Sequence, residues 1–154
     1  MKKIVSLIIL CLMLFPISGC HKESEPEKVK KVIRTLQKAA EEKDTRKFSA
    51  AISRDYRDSR GNTFESIRGL LIAYFYQYPK ISVYITNIDA SVADASAQAA
   101  FRAVFTSRGA AESATAVLPE SLGVYAFDVA FKNESGEWKV VSAEWARVGD
   151  ADKP

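Results

Sequence analysis

From Glu27 the chain runs through two rhythms of apolar and polar positions. Val29, Val32, Ile33, Leu36, Ala39 and Ala40 recur at steps of three and four, while Lys28, Lys30, Lys31, Glu41 and Glu42 take the other side. That spacing predicts an amphipathic helix of about four turns, and Ser24 and Glu27 stand at capping-box spacing at its start. Asp44 or Thr45 would cap a second, shorter helix whose apolar face is Phe48, Ala51 and Ile52. The polar segment from Asp55 to Gly61 reads as turns, with room for a very short strand pair. Asn62 and Glu65 repeat the capping-box spacing ahead of a third helix. In it Phe64, Ile67, Leu70, Leu71, Tyr74, Phe75 and Tyr78 form a broad apolar face, expected to be core, and Pro79 ends it.

At Ile81 the period changes to two. Ile81, Val83 and Ile85 alternate with Ser82, Tyr84 and Thr86, and the stretch from Ala97 to Phe105 sets Phe101 and Phe105 on one face. Two further strands are predicted, from about Gly123 to Lys132 and from about Glu137 to Val148, joined by the turn Asn133-Glu134-Ser135-Gly136. The alanine-rich piece from Gly109 to Ser121 reads as a long loop or a single helical turn.

The first residues follow a different plan. Lys2 and Lys3 precede an apolar run from Ile4 to Phe15, closed by Pro16, Ile17, Ser18, Gly19 and Cys20. This is the layout of a secretory signal, too short for the roughly 20 residues that a membrane-crossing helix needs. Ile17-Ser18-Gly19-Cys20 resembles the lipobox of bacterial lipoproteins. The resemblance implies cleavage before Cys20, acylation of that cysteine, and anchoring to membrane lipid in the cell envelope. His21 and Lys22 follow where an aspartate would favour the inner membrane, so in a cell with two membranes it implies the periplasmic side of the outer one. The expected organisation is a signal peptide over 1–19, a lipidated cysteine and tether over 20–26, one domain over 27–148 and a disordered tail over 149–154.

Cleavage would also change the chemistry available. Cys11 leaves with the signal and Cys20 is consumed by lipid, which excludes a disulfide framework, a cysteine metal site and a cysteine nucleophile in the domain. Without Lys2 and Lys3, 20 basic residues stand against 19 acidic, and the formal charge falls from +3 to +1. Such a chain has no broad attraction for nucleic acid. Its single histidine is His21, on the tether, which removes Ser-His-Asp and His-rich metal chemistry from the domain. Glycine-rich phosphate loops are missing as well. No cofactor and no metal are expected.

Three helices followed by four strands resemble the cone-shaped nuclear-transport-factor-2-like (NTF2-like) fold of SnoaL-type and ketosteroid-isomerase-type proteins. The likeness rests on the order of elements from Glu27 to Val148. Within it, the run from Leu36 to Asp44 resembles the first helix and its turn, and Gly136-Glu137-Trp138-Lys139-Val140-Val141 the last strand. The expectation is therefore an α+β domain, three N-terminal helices on a curved antiparallel sheet of about four main strands, with a cystatin-like helix-on-sheet arrangement as the rival. The resemblance also implies a pocket inside the cone, and in some relatives a buried aspartate base beside oxyanion donors.

Against that pattern the catalytic candidates are Asp128, Asp55 and Tyr56, and the ligand-binding candidates are Tyr76, Tyr84 and Asp128. Asp128 enters the pocket only if the face of Val124, Ala126 and Ala130 lines the cone. Its neighbours Tyr125 and Phe127 favour the opposite phase, with Asp128 in water. Asp55 and Asp58 flank Tyr56 in a segment that ordinary turn chemistry also explains. Arg102 and Glu144 are expected to meet as a surface pair across neighbouring strands. The basic residues Arg46, Lys47, Arg54, Arg57, Arg60 and Arg68 alternate with Asp44, Asp55, Asp58 and Glu65, and read as a solvated face. The function expected is a non-catalytic envelope module that binds an apolar small molecule or an envelope protein, with a homodimer through the sheet as a further partner. The alternatives are a small isomerase or cyclase with an aspartate base, and a purely structural envelope subunit.

Overall fold

The computed structural model describes residues 23–108 and 120–149. The signal segment, Cys20, most of the alanine-rich piece and nearly all of the tail lie outside them. Three helices, α1 (Glu25–Glu41), α2 (Thr45–Ala50) and α3 (Phe64–Gln77), precede four strands, β1 (Lys80–Ala93), β2 (Ser96–Arg108), β3 (Glu120–Glu134) and β4 (Glu137–Arg147). The strands form one antiparallel sheet in the order β1-β2-β3-β4. No helix of the described residues is long and apolar enough to cross a membrane.

α1 starts two residues before the expected boundary. Ser24 is its N-cap, yet its side chain makes no capping hydrogen bond; Pro26 in the first turn fixes the entry instead. Glu27 does not reach back to Ser24 but pairs with Lys30 at 2.8 Å. Val29, Ile33 and Ala39 are the buried residues of this helix, and α1 is the helix that packs on the sheet. Beyond it Lys43 turns left-handed at φ 54°, and Asp44 caps α2 through Oδ1, which accepts from Lys47 N at 2.8 Å.

The N-cap of α3 is Thr63, not Asn62. Asn62 is committed elsewhere, donating to Asp58 from its backbone N at 2.9 Å and from Nδ2 at 2.8 Å. The broad apolar face expected of α3 is not core either. Only Phe64 is buried, while Leu70 is 46% and Tyr74 55% exposed. The physical reason is position: α3 rests mainly on α2 rather than on the sheet.

One face of the sheet carries Ala97, Ala99, Val129, Phe131, Trp138 and Val140, all in the buried core with Val29 and Ile33. This settles the strand phase: Tyr125, Phe127, Val129 and Phe131 face the helices. Ala97 and Ala99 are 3% exposed, and their small side chains let α1 lie close to β2. In β1 the alternation survives a bulge between Thr86 and Asp89, where Asn87 takes φ 51°; Val83 and Ile85 before it and Ile88, Ala90 and Val92 after it share the inner face. The β3–β4 turn places Ser135 at φ 54° and Gly136 at φ 93°, the double left-handed conformation of a two-residue type I′ hairpin. Trp138 Nε1 donates to Glu25 Oε2 at 2.8 Å, tying the start of β4 to the first turn of α1.

Both outer strands are partly covered. Segment 51–57 lies along β4: Val140 N donates to Ala51 O at 2.9 Å, Ser53 N to Val140 O at 2.9 Å and Arg57 N to Val141 O at 3.0 Å. On β1, Val83 O accepts from Gln37 Nε2 at 2.6 Å and Val83 N donates to Glu41 Oε1 at 2.9 Å. The short strand pair expected between α2 and α3 is present as a single antiparallel bridge, Arg57 with Thr63.

Candidate functional site: an aromatic concave face

The inner face of the sheet is covered by α1 at one end and carries large aromatic rings toward the other. At the first end α1 covers Ala97, Ala99, Val129 and Phe131. Toward the other end the inner rows continue as Phe101 and Phe105 on β2 and Tyr125 and Phe127 on β3, and all four stay half-buried. Their rings form one cluster. Phe101 and Phe127, opposite each other in the register, stack at 5.1 Å, and Phe105 meets Tyr125 edge-on at 5.8 Å. Gly123, opposite Phe105, has φ +125°, and a Cβ there would lie 3.0 Å from Arg147 Nε and 3.2 Å from the Tyr125 ring.

α3 carries a stripe spaced by three and four, in which Phe64 is buried but Ile67, Leu71, Phe75 and Tyr78 are only half-buried. Lys43 Nζ donates to Phe75 O at 2.8 Å and holds this end of α3 to the α1–α2 turn. Apolar walls with few polar groups suit an apolar guest.

A polar group of a different kind is formed by the segment between α2 and α3. Tyr56 is 2% exposed and belongs to the core cluster. Its hydroxyl donates to Asp58 Oδ2 at 3.2 Å. Burial, and then the neighbouring Asp58 charge, push the Tyr56 phenol well above its ordinary range, so it stays protonated and serves as a donor. Asp58 accepts four hydrogen bonds: Oδ1 from Arg60 N at 3.0 Å and Asn62 N, Oδ2 from Tyr56 and Asn62 Nδ2. Burial raises its carboxyl, but these donors outweigh burial and the net direction is down. A saturated carboxylate with a lowered pKa is a poor base near neutral pH.

The sequence candidates are dispersed. Asp128 is exposed, on the face of the sheet away from the helices, opposite Ala100 and Glu144 in the register. Asp55 is exposed, and its backbone N donates to Ser53 Oγ at 3.1 Å. Tyr76 is 92% exposed on the solvent side of α3, and Tyr84, 61% exposed, lies on the outer face of β1 opposite Val104. None of Asp128, Asp55, Tyr76 and Tyr84 enters the concave face. The expected Arg102–Glu144 pair does not form, because β3 lies between their strands. Glu144 instead accepts from Ser59, backbone N at 3.0 Å and Oγ at 2.7 Å, and these bonds lower its pKa. Among the described residues no group of three His, Cys, Asp or Glu could hold a metal ion.

The residues that do line the concave face, Phe101, Phe105, Tyr125 and Phe127, read as core in the sequence. The available signal was the surplus of large rings at one end of the inner rows, beside the alanines of the other end.

No protein-family model matches the sequence, and no curated protein matches it. Solved structures do match. An NTF2-like protein from Streptomyces avermitilis, described as a candidate dehydratase, superposes with a TM-score of 0.69 at 14% identity over 79% of this chain and 95% of its own. An NTF2-like protein with a cystatin-like fold from Novosphingobium aromaticivorans gives 0.67 at 14% identity, over 99% and 92%. Bd1075 from Bdellovibrio bacteriovorus gives 0.65 at 11% over 80% of this chain, which spans only 41% of that protein. At such identities the likeness shows the fold: three helices on a curved four-stranded antiparallel sheet, NTF2-like. Since the Novosphingobium protein carries both descriptions, the cystatin-like rival is the same architecture under a second name.

Proposed function

We propose that this domain is a non-catalytic binding module that takes an apolar small molecule against the aromatic end of its concave face, and that lipid on Cys20 anchors it in the cell envelope. The observation that carries the binding reading is the cluster of half-buried rings, Phe101, Phe105, Tyr125 and Phe127, on the inner face of the sheet, together with the half-buried Leu71 and Phe75 of an α3 that rests on α2 rather than on the sheet. The state of Asp58 speaks against acid–base catalysis, as its lone pairs are occupied and its pKa lowered. The anchoring reading rests on Lys2, Lys3, the short apolar run and Ile17-Ser18-Gly19-Cys20.

Titration with the uncharged fluorophore N-phenyl-1-naphthylamine tests the first part. Saturable binding that weakens about tenfold in Phe127→Ala, a loss of about 1.4 kcal/mol, supports it. Binding that is absent, or equal in wild type and Phe127→Ala, overturns it. Intact mass of the protein from membranes tests the second part: a chain beginning at an acylated Cys20 is expected, and an unmodified Cys20 would end the anchoring reading.

A further inference from the structure

The basic residues that alternate with acids along 46–68 do not share one face in the folded chain. Lys47 is engaged by Glu42 at 3.0 Å and Asp44 at 3.5 Å. Arg60 lies 4.5 Å from the centre of the Trp145 ring and donates to Trp145 O at 2.7 Å. Arg46, Arg54 and Arg68, in contrast, meet Lys139 from β4 around a groove of about 650 Å³ between α2, the start of α3 and the β3–β4 hairpin.

The groove is organised. The Arg54 guanidinium sits 4.1 Å from the centre of the Phe64 ring, which limits its freedom before any ligand arrives. Lys139 Nζ donates to Ala50 O at 2.8 Å, which holds it at the groove wall, and also to Glu137 Oε2 at 2.5 Å, an exposed carboxylate outside the lining that an anion would compete with. The one carboxylate of the lining, Glu134, accepts from Ser53 Oγ at 2.7 Å. At the rim Glu65 lies 3.7 Å from Arg54 and 3.4 Å from Arg68, in exposed pairs that an incoming anion would readily replace. No salt bridge of the described residues involves Arg46.

We propose that this groove binds a phosphate-bearing ligand, at a site separate from the aromatic concave face. Planar guanidinium groups match phosphate oxygens two at a time, and several cations around a concavity concentrate an anion there. The volume exceeds what a bare ion needs and suits a phosphate ester or a lipid headgroup. The site stands whether or not Cys20 is acylated and whatever the concave face holds.

Calorimetric titration of the full chain in uncharged detergent tests it, with inorganic pyrophosphate in one arm and dihexanoyl phosphatidylglycerol in the other. Dihexanoyl phosphatidylcholine is the zwitterionic control. Saturable binding of at least one anionic probe, about tenfold weaker in both Arg54→Gln and Arg68→Gln, is the expected result. The arm that binds tells a free phosphate from a headgroup. Both side chains are exposed, so the variants should fold as wild type does, which thermal melts would verify. Absence of binding in both arms at low salt, or affinities unchanged in both arginine variants and in Lys139→Gln, overturns the proposal.

Discussion

The indole of Trp138, 4% exposed, gives its only N–H to Glu25 Oε2 at 2.8 Å, and so joins residues 113 positions apart. The bond closes α1 onto the last hairpin, and two substitutions separate its parts. Trp138→Phe removes the donor and keeps most of the ring; Glu25 is partly solvated and also pairs with Lys28 at 2.7 Å, so the cost is about 1 kcal/mol. Trp138→Ala also empties core volume and costs about 3–5 kcal/mol. Urea unfolding of both variants checks the difference.

Asp58 predicts an acid-sensitive fold. Its folded pKa lies below the ordinary 3.8, so the native state favours the charged form. The stability it contributes is complete above 3.8 and is lost as pH falls through the lower folded value. Asp58→Asn should therefore be less stable than wild type at about pH 7, and the gap should narrow below about pH 4. Unfolding midpoints across that range test the sign; a gap that widens toward low pH would contradict it.

Asp128 leads to the opposite expectation. It faces Glu144 directly across β3 and β4, two like charges on one face of the sheet. Asp128→Asn should leave binding at the concave face unchanged and raise stability by about 0.2–0.5 kcal/mol. A denaturation curve together with the fluorophore titration reads both.

Gly123 is predicted to be intolerant of a side chain. At φ +125°, with Arg147 Nε and the Tyr125 ring 3.0 and 3.2 Å from a Cβ, Gly123→Ala should cost about 1–3 kcal/mol. Because Tyr125 belongs to the aromatic cluster, the variant should also weaken fluorophore binding. Thermal melting and the same titration measure the two effects.

Much of the architecture was legible because periodicity reports burial. The three-and-four steps of Val29, Ile33 and Leu36 marked α1, and the alternation of Tyr125, Phe127, Val129 and Phe131 marked β3 and favoured Asp128 in water, but large apolar residues on both faces of β3 and β4 did not let the sequence fix the phase. Asp44 was one of two legible caps, with Thr45, because a short oxygen-bearing side chain just before a helical stretch can accept from its first free N–H groups. Asn62 was not, since capping-box spacing cannot reveal that Asp58, four residues earlier, would claim both its donors. α3 misled for a related reason. A broad apolar face shows that a helix seeks cover, but whether the sheet or α2 supplies it depends on where the chain places the helix. Arg102 and Glu144 failed as a pair on strand order, which composition does not encode. The groove of Arg46, Arg54, Arg68 and Lys139 was hidden likewise, because its last member lies 71 positions beyond Arg68 and its cations alternate with acids in the sequence.

The covering of the two outer strands has a consequence for assembly. Segment 51–57 occupies the backbone groups of β4 around Val140, while Gln37 and Glu41 occupy those of Val83 in β1 and the bulge at Asn87 bends the same strand. A strand from another copy finds no straight, unpaired ladder to join at either position. Edge-to-edge pairing of two copies is thereby hindered where β1 passes Val83 and where β4 passes Val140.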